Sequence, residues 1–402
     1  MKILRWFIAI PLSLVLLLAA CGATSSGTTP VTPPDTNPGT DTGSSGPAIS
    51  TGTAAEVVTA ADAFLATLDD TQRASVVVSA DATNAVVWSN LPASLVPRNG
   101  IELSTLSDEQ LAAAKAVVQA ALGTAADEGY DEAMQILAAD DVLGSAGTAG
   151  AANGNVTRQP PSGPGGGGLE YSSGLYYLAL LGTPNTTGAW QLQFGGHHLA
   201  VNINYNEGSI TGATPEFRGI EPRCWTVAGT TTTTDDCTAP GTDGTTTTYA
   251  PMYGEQTAVA AMLASLDAEQ LASAQLSETF SDILLGPGQD GQFPETKVGL
   301  AVSELSAEQQ ALVLAAIAPW VQDVDDTTAA ALLDIYESEL DETFISFSGD
   351  ASLSNNADYV RIDGPSVWIE LVCQNGVVYS SEIHYHSVWR DHTRDYGAEY
   401  SF

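Results

Sequence analysis

The sequence feature that most constrains the fold of this chain is a pair of helix starts that occurs twice. Each start has Asp or Ser at a candidate N-cap position and Gln three residues later, which is the spacing of a capping box. The four candidate N-caps are Asp69, Ser107, Asp267 and Ser306. An apolar-periodic stretch follows each one, so the chain predicts two similar halves that both begin with capped helices.

The order of the later elements also repeats. Each half continues with a third helical stretch and then with strands, and the matched segments are 127–142 with 326–342, 175–181 with 343–348, and 198–204 with 367–373. This alignment places Gly195 on Gly364. The sequences Asn-Glu-Gly at 206–208 and Asn-Gly at 375–376 then predict a hairpin turn in each half.

We therefore expect an α+β fold in which helices precede antiparallel hairpin strands. The two halves are expected at about residues 55–220 and 255–402, within one large domain of residues 51–402. A stretch rich in Gly, Ala and Pro at 144–168 accounts for most of the greater length of the first half. An internal duplication explains the repeated order, and the alternative is chance similarity among Ala-rich helices.

The first 20 residues have the features of a bacterial lipoprotein signal peptide. Lys2 and Arg5 precede an apolar run that ends in Leu-Ala-Ala and then Cys21. Such a run of about 15 residues fits a secretory signal and is shorter than the ~20 residues of a membrane-spanning helix. We expect Cys21 to carry a lipid anchor that holds the protein at the outer membrane or cell surface. The alternative is an ordinary secretory signal with an incidental cysteine.

Residues 21–50 are expected to form a disordered stalk. They consist mostly of Thr, Ser, Gly, Pro and Asp and contain no aromatic residue. A segment of this composition cannot bury enough apolar surface to order itself. The stalk would hold the domain away from the lipid.

The acidic charge of the chain limits the kinds of molecule that the domain is expected to bind. The formal net charge is −36, with 12 basic against 48 acidic residues. Such a chain is repelled by nucleic acids and by anionic membrane surfaces, so the Cys21 anchor is the one membrane contact that we expect. The identity of an extracellular or periplasmic ligand, whether a small molecule or a polymer, stays open.

The remaining three cysteines have two expected roles. Cys224 and Cys237 flank a loop of Thr, Gly and Asp, and outside the cytoplasm they are expected to form a disulfide. Cys373 lies in an apolar strand pattern and is expected to be a buried, unreactive thiol.

The five histidines fall in two clusters. His384 and His386 are two residues apart in a predicted strand, so their side chains share one face with Glu382. His197 and His198 lie at the start of another strand and would point to opposite faces, so we expect one of them to complete the group. Three imidazoles are a ligand set that suits Zn, Cu or Fe.

Glu382 is the candidate catalytic residue, either as a metal ligand or as a base acting on metal-bound water. Two alternatives to a metal site are a metal-free polar pocket and histidines with a purely structural role.

Arg218, Arg361 and Arg390 lie in or near the same motifs. These arginines would bind an anionic substrate, or they would form ion pairs that hold the motifs in place.

At these motifs the chain resembles an uncharacterised bacterial family known as domain of unknown function 3500. The resemblance rests on residues 190–199, on Thr-Pro-Glu-Phe-Arg-Gly at 214–219, and on 384–397, which begins His-Tyr-His. It implies one family-length unit rather than two unrelated domains, and it implies no particular activity.

The leading functional hypothesis is a metal-dependent surface enzyme, with hydrolysis by activated water and oxidation at Cu or Fe both open. The second is a non-catalytic lipoprotein that binds a ligand or the metal itself. The third is a structural envelope protein. An enzyme requires an open coordination position at the metal, whereas a binding protein can have a closed site.

Overall fold

The computed structural model describes residues 54–153, 169–234 and 239–402, with the side chains of 147–153 excepted. The predicted signal peptide, Cys21, the predicted stalk and Cys237 all lie outside these ranges. Within the described ranges, no helix is both long enough and apolar enough to cross a bilayer.

The helices occur in two groups, one in each half of the chain. Those in the described residues are α1 (Ala54–Thr67), α2 (Asp70–Val76), α3 (Ala82–Ala85), α4 (Asp108–Ala121), α5 (Gly129–Asn153), α6 (Tyr253–Ala264), α7 (Ala268–Ala274), α8 (Ala307–Val321) and α9 (Asp326–Ser338). The four predicted capping boxes are confirmed at the starts of α2, α4, α7 and α8. In each box the Gln side chain accepts a hydrogen bond from the N-cap backbone N–H.

The capping boxes also contact one another in pairs. The side-chain amide of Gln110 donates to Gln72 at 2.9 Å, and that of Gln309 donates to Gln270 at 2.8 Å. The Gln110 amide also donates to the carbonyl of Thr67, at the end of α1, at 3.0 Å. The Gln309 amide donates in the same way to the carbonyl of Ser265, which follows α6, at 2.9 Å. The repeated motif therefore determines how one helix start packs against the next.

The strands form one large sheet and one small sheet. They are β1 (Val77–Val78), β2 (Ile101–Glu102), β3 (Tyr177–Leu181), β4 (Trp190–Gly195), β5 (Leu199–Asn206), β6 (Ser209–Gly212), β7 (Glu216–Ile220), β8 (Trp225–Ala228), β9 (Thr231–Thr233), β10 (Gly241–Thr242), β11 (Thr246–Tyr249), β12 (Leu300–Ala301), β13 (Phe344–Ser348), β14 (Tyr359–Asp363), β15 (Val367–Asn375) and β16 (Ile383–Asp391). The predicted α+β class is confirmed.

The large sheet has 12 strands in the order β1-β3-β4-β5-β7-β16-β15-β14-β13-β12, with β2 paired to β3 and β6 paired to β5. It is mixed, because β1 pairs with β3 in parallel and its other pairs are antiparallel. The strands of the first half meet those of the second where β7 pairs with β16. The small sheet has the order β10-β11-β8-β9.

The turns before β5 and β15 correspond, but one residue away from the predicted alignment. The Gly196 N–H donates to the Leu199 carbonyl at 2.9 Å, and the Gly364 N–H donates to the Val367 carbonyl at 2.7 Å. Gly196 rather than Gly195 therefore matches Gly364. Consequently β5 begins at Leu199, and the expectation that His198 begins the strand is wrong.

The two faces of the large sheet are covered differently. Helices pack on one face, where the Trp320 indole donates to Ser387 Oγ at 2.6 Å. The opposite face carries a second apolar cluster that includes Trp88, Phe217 and Trp368. Residues 276–298, which we term the covering segment, contribute Ile283 and other apolar side chains to this cluster.

A buried carboxylate fastens the covering segment to the sheet. Glu370 on β15 accepts hydrogen bonds from the backbone N–H groups of Leu284 and Leu285 at 2.7 and 2.8 Å. It also accepts from the Tyr359 hydroxyl at 2.6 Å and from the Trp368 indole at 2.9 Å. Because all four donors are directed at one carboxylate, the segment is held at a fixed position over the face.

The described cysteines agree with their expected roles. Cys224 is disulfide-bonded, and Cys237, its predicted partner, lies outside the described residues. Cys373 is a free thiol with no exposed surface, and its Sγ donates to the Leu353 carbonyl at 3.3 Å. Burial raises the pKa of the Cys373 thiol to about 12.

We expect Cys373 to be unreactive in the native protein. At pH 8 a thiol with this pKa has a thiolate fraction on the order of 10⁻⁴, and the thiolate is the reactive form. In a Cys21→Ser variant, a chromogenic thiol reagent should titrate no thiol before denaturation and one thiol after it. Rapid titration of the native variant would contradict the buried position.

Candidate metal centre

Strand periodicity brings two of the predicted histidines together. His384 and His386 lie on β16, opposite Gln374 and Val372 of β15. Their Nε2 atoms are 3.3 Å apart, on the sheet face that the covering segment overlies. The prediction that these two side chains share a face is confirmed.

His198 reaches the same point from a turn rather than from a strand. Its φ of 62° is in the left-handed region, which is uncommon for a residue other than glycine. The backbone is held there because the His198 carbonyl accepts from the Gly219 N–H at 2.8 Å. His198 therefore precedes β5, and its ring lies on the same sheet face as Ala200, next to His386 on β16.

Gly219 on β7 provides the space between two of the rings. A Cβ atom at this position would lie 3.0 Å from His198 Cδ2 and 3.1 Å from His386 Cδ2. The absence of a side chain therefore allows the histidines to converge.

The three rings present their Nε2 atoms to a common point. His386 Nε2 is 3.3 Å from His198 Nε2 as well as from His384 Nε2. The three candidate ligand atoms all lie within 4.8 Å of one another. Two imidazole nitrogens bound to a tetrahedral zinc ion, at 2.0–2.1 Å each, are separated by about 3.3–3.4 Å. The two separations from His386 Nε2, 3.3 Å each, match this value.

The environment of His198 and His384 favours neutral imidazoles, which are the form that binds metal. The three residues are only 2–6% exposed. Burial, followed by the charge of His386, lowers the pKa of His384 to about 3. Burial and the neighbouring histidines lower the pKa of His198 well below its usual value.

A carboxylate that sequence reasoning missed orients His386. Asp282 Oδ1, on the covering segment, lies 3.0 Å from His386 Nδ1. Burial opposes ionisation of Asp282, but its hydrogen bond and charge interaction with His386 outweigh this effect and lower its pKa. Metal-binding histidines commonly donate their second N–H to such a carboxylate. No spacing motif connects Asp282 with β16, so only the tertiary fold reveals it.

His197 lies beside the three histidines in a different role. Its ring stacks on that of His198 with a centroid distance of 3.6 Å. Its Nδ1 is 2.7 Å from Asp140 Oδ1, and the Tyr176 hydroxyl donates to the other oxygen of Asp140 at 3.0 Å. Asp140, His197 and His198 form a second group whose candidate ligand atoms lie within 4.8 Å of one another.

Glu382 and His392 lie apart from the three-histidine group. Glu382 precedes β16 and is half-buried, and the group of converging ligand atoms does not include it. His392 follows β16, where its Nε2 is 3.2 Å from Asp363 Oδ1 and its ring packs against Phe293. Of the candidate metal ligands, the structure therefore joins His198, His384 and His386.

The three candidate substrate-binding arginines are buried at separate places. Arg218 is on the helix-covered face among carboxylates. Arg361 donates to the Tyr359 hydroxyl at 2.8 Å and lies over aromatic rings. Arg390 donates to the Leu285 carbonyl at 2.8 Å and pairs with acidic side chains. Their exposed fractions are only 0–4%, and these contacts are those expected of arginines that hold segments in place.

Comparison with known proteins connects this geometry to a family. Residues 50–398 match the family described as Protein of unknown function (DUF3500). The chain belongs to this family. The match includes every residue of the three-histidine group. No curated protein and no solved structure matches this DUF3500 chain.

In this DUF3500 protein, we expect Gly219→Val to disrupt the histidine group without removing a ligand. The added side chain would force apart His198 and His386. Loss of a residue that only orients a metal ligand weakens metal binding by about 10–100-fold, and we expect an effect of at least this size. Competition with a metal-binding dye would measure the loss. Gly188→Ala is the control, because its new Cβ would meet nothing closer than the Asn185 side chain at 3.3 Å. Equal affinities in the two variants would contradict this account of Gly219.

Proposed function

We propose that this DUF3500 protein binds one first-row transition metal ion through His198, His384 and His386. The observation that carries the proposal is the 3.3 Å separation of His386 Nε2 from each of the other two Nε2 atoms. Imidazole suits zinc, copper and iron, and the tetrahedral spacing favours zinc among them.

A metal ion accounts for the contacts better than hydrogen bonds among the rings. In the neutral tautomer whose Nδ1–H donates to the Asp282 carboxylate, His386 has a lone pair at Nε2. Without a metal, this lone pair would have to accept from two imidazoles at 3.3 Å, longer than the usual 2.9–3.0 Å of an N–H donor. One metal ion would satisfy all three nitrogens.

We extend this proposal to a metal-dependent enzyme, because the site offers three protein ligands rather than four. Catalytic zinc sites typically have three protein ligands and a fourth position for water, whereas structural sites have four protein ligands. Asp282, with 46% of its side chain exposed, places the edge of the centre near solvent. The alternative is a non-catalytic binding protein, which the near-complete burial of the three histidines favours.

The metal proposal is tested by elemental mass spectrometry on the full chain, purified without a histidine tag. We expect close to one equivalent of zinc, copper or iron per chain. Replacement by Co²⁺ should give the strong visible absorption of a four-coordinate ion. A His392→Ala variant should behave like the parent. Absence of metal after reconstitution, or the weak spectrum of six-coordinate Co²⁺, would refute the proposal.

We also propose that the protein is lipid-anchored in the bacterial cell envelope. The support is the sequence before residue 22: two basic residues, a short apolar run and the Leu-Ala-Ala-Cys ending. Growth with a labelled fatty acid should label the parent protein in the membrane fraction. A Cys21→Ser variant should carry no label, and equal labelling of both would refute the anchor.

An internal duplication is proposed as the origin of the two halves. Its support is the paired capping boxes and the matched turns before β5 and β15. An experimentally determined structure should allow residues 176–206 to be superposed on 343–374 with the same strand pairing. A different order of the strand pairs in the two segments would exclude this origin.

A further inference from the structure

A second polar cluster lies on the helix-covered face of the sheet. Arg218 on β7 extends to this face, whereas the adjacent Gly219 faces the histidines. Five carboxyl groups surround or adjoin the guanidinium, and they belong to Glu128, Glu132, Glu216, Glu255 and Asp323. Among the described residues, Arg218 is the one basic side chain that forms ion pairs with them.

The guanidinium is fully engaged by three of these groups. Arg218 Nη1 is 2.5 Å from Glu132, Nη2 is 2.8 Å from Glu216, and Nε is 2.8 Å from Asp323. One positive charge thus faces several carboxyl groups, all of them buried except Glu128, which is partly exposed. Buried ions require partners of opposite charge, so the excess of carboxylates requires protons or a further cation.

Three carboxyl groups converge as the ligands of a hard cation do. Glu128, Glu132 and Asp323 each offer an oxygen, and these oxygens lie within 4.8 Å of one another. Calcium binds oxygen ligands at 2.3–2.6 Å, so that opposite ligands are about 5 Å apart. The three oxygens are therefore close enough to share one ion.

The side chain of Glu255 independently indicates that the cluster binds a cation. It is only 1% exposed, and its Oε1 has no hydrogen-bond partner among the described residues. It lies in the first turn of α6, next to Gly254, where an added Cβ would be 2.7 Å from Glu128 Oε1. A buried carboxylate oxygen without a donor is costly, and it stands beside acidic rather than basic groups.

We propose that this cluster is a site for a divalent cation of the calcium or magnesium type, held by Glu128, Glu132 and Asp323 with Glu255 adjacent. The site joins the two halves of the domain, because Glu132 is on α5 and Asp323 precedes α9. Asp323 already contacts the first half, since its Oδ1 accepts from the Gly129 N–H at 2.7 Å. Oxygen ligands select hard cations, so the site differs in chemistry from the histidine centre.

The test uses the full chain carrying His384→Ala and His386→Ala, so that metal at the three-histidine group does not contribute. After treatment with chelator, Ca²⁺ and then Mg²⁺ are added while thermal unfolding and calorimetric binding are measured. We expect one equivalent of cation to bind and the melting temperature to rise by several degrees, because a ligand of the folded state stabilises it.

A Glu255→Gln change should weaken cation binding at least about tenfold, since it removes a negative charge beside the ion. In chelator the same variant should melt above its parent, because repulsion within the cluster is reduced. Asp334→Asn, which alters an exposed carboxylate on α9, is the matched control and should leave both results unchanged. Glu128→Gln, at the less buried position, serves as a second variant if Glu255→Gln does not fold.

Two outcomes would overturn the proposal. One is a parent protein whose melting temperature is the same in chelator, Ca²⁺ and Mg²⁺. The other is a cation response that Glu255→Gln and Glu128→Gln leave unchanged. Either result would mean that protons neutralise the cluster, and neither bears on whether the histidines bind a transition metal.

Discussion

Alanine at both His384 and His386 is expected to abolish stoichiometric binding of zinc, copper or iron. The two substitutions remove two of the three converging nitrogens and leave His198 with its neighbours His197 and Asp140. Loss of an outer-sphere partner already weakens metal binding by about 10–100-fold, so loss of two direct ligands should exceed this range. Elemental analysis after dialysis against a weak chelator measures the difference.

His392→Ala provides the matched control for that experiment. His392 follows the same strand, but it pairs with Asp363 at 3.2 Å and lies outside the converging group. It should retain the metal content of the parent protein. Equal metal content in all three proteins would place the metal elsewhere, whereas loss in the His392 variant as well would indicate a general effect of histidine removal.

Replacing Arg218 with methionine is expected to lower the free energy of unfolding by about 3–5 kcal/mol, the typical cost of breaking a buried ion pair. The change leaves Glu132, Glu216 and Asp323 without their common cation at a position where Arg218 is 1% exposed. Denaturant unfolding measures the loss. Arg73→Met is the control, because Arg73 is exposed and donates only to carbonyl groups at the end of α1.

The penalty for Arg218→Met should depend on pH. Burial raises the pKa of Glu216 from 4.5 to about 7, although Arg218 opposes this effect. A carboxyl group with a raised pKa in the folded state stabilises the protein below about pH 4.5, and this contribution is lost as the pH rises through 7. Without Arg218 the pKa rises further, so the variant should lose less stability at pH 5 than at pH 8. An equal loss of stability at pH 5 and pH 8 would contradict the role of the Glu216 carboxyl group in this pH dependence.

Local patterns were sufficient to predict much of the fold. The capping boxes at Ser107 and Ser306 depend on side chains three residues apart, and both formed as predicted. The pairing of His384 with His386 follows from the two-residue period of a strand. Each of these features depends only on a few neighbouring residues, which is why the sequence reveals it.

Features that depend on tertiary contacts were beyond this kind of prediction. The left-handed turn at His198, which makes β5 begin one residue later than predicted, is held by a hydrogen bond to Gly219 on another strand. Asp282 and Asp140 reach the histidines from a covering segment and from α5, with no sequence spacing that connects them. The positions of Arg218, Arg361 and Arg390 near the motifs did not indicate which face of the large sheet each side chain would occupy.

The attachment of the covering segment has a consequence for the rate of metal exchange. The segment that contributes Asp282 is tied to Glu370 by two backbone N–H groups and to Arg390 through the Leu285 carbonyl. An ion bound at the histidines, as proposed above, would enter or leave only as fast as these ties break, so that its occupancy would be controlled kinetically, with slow release even where free metal is scarce.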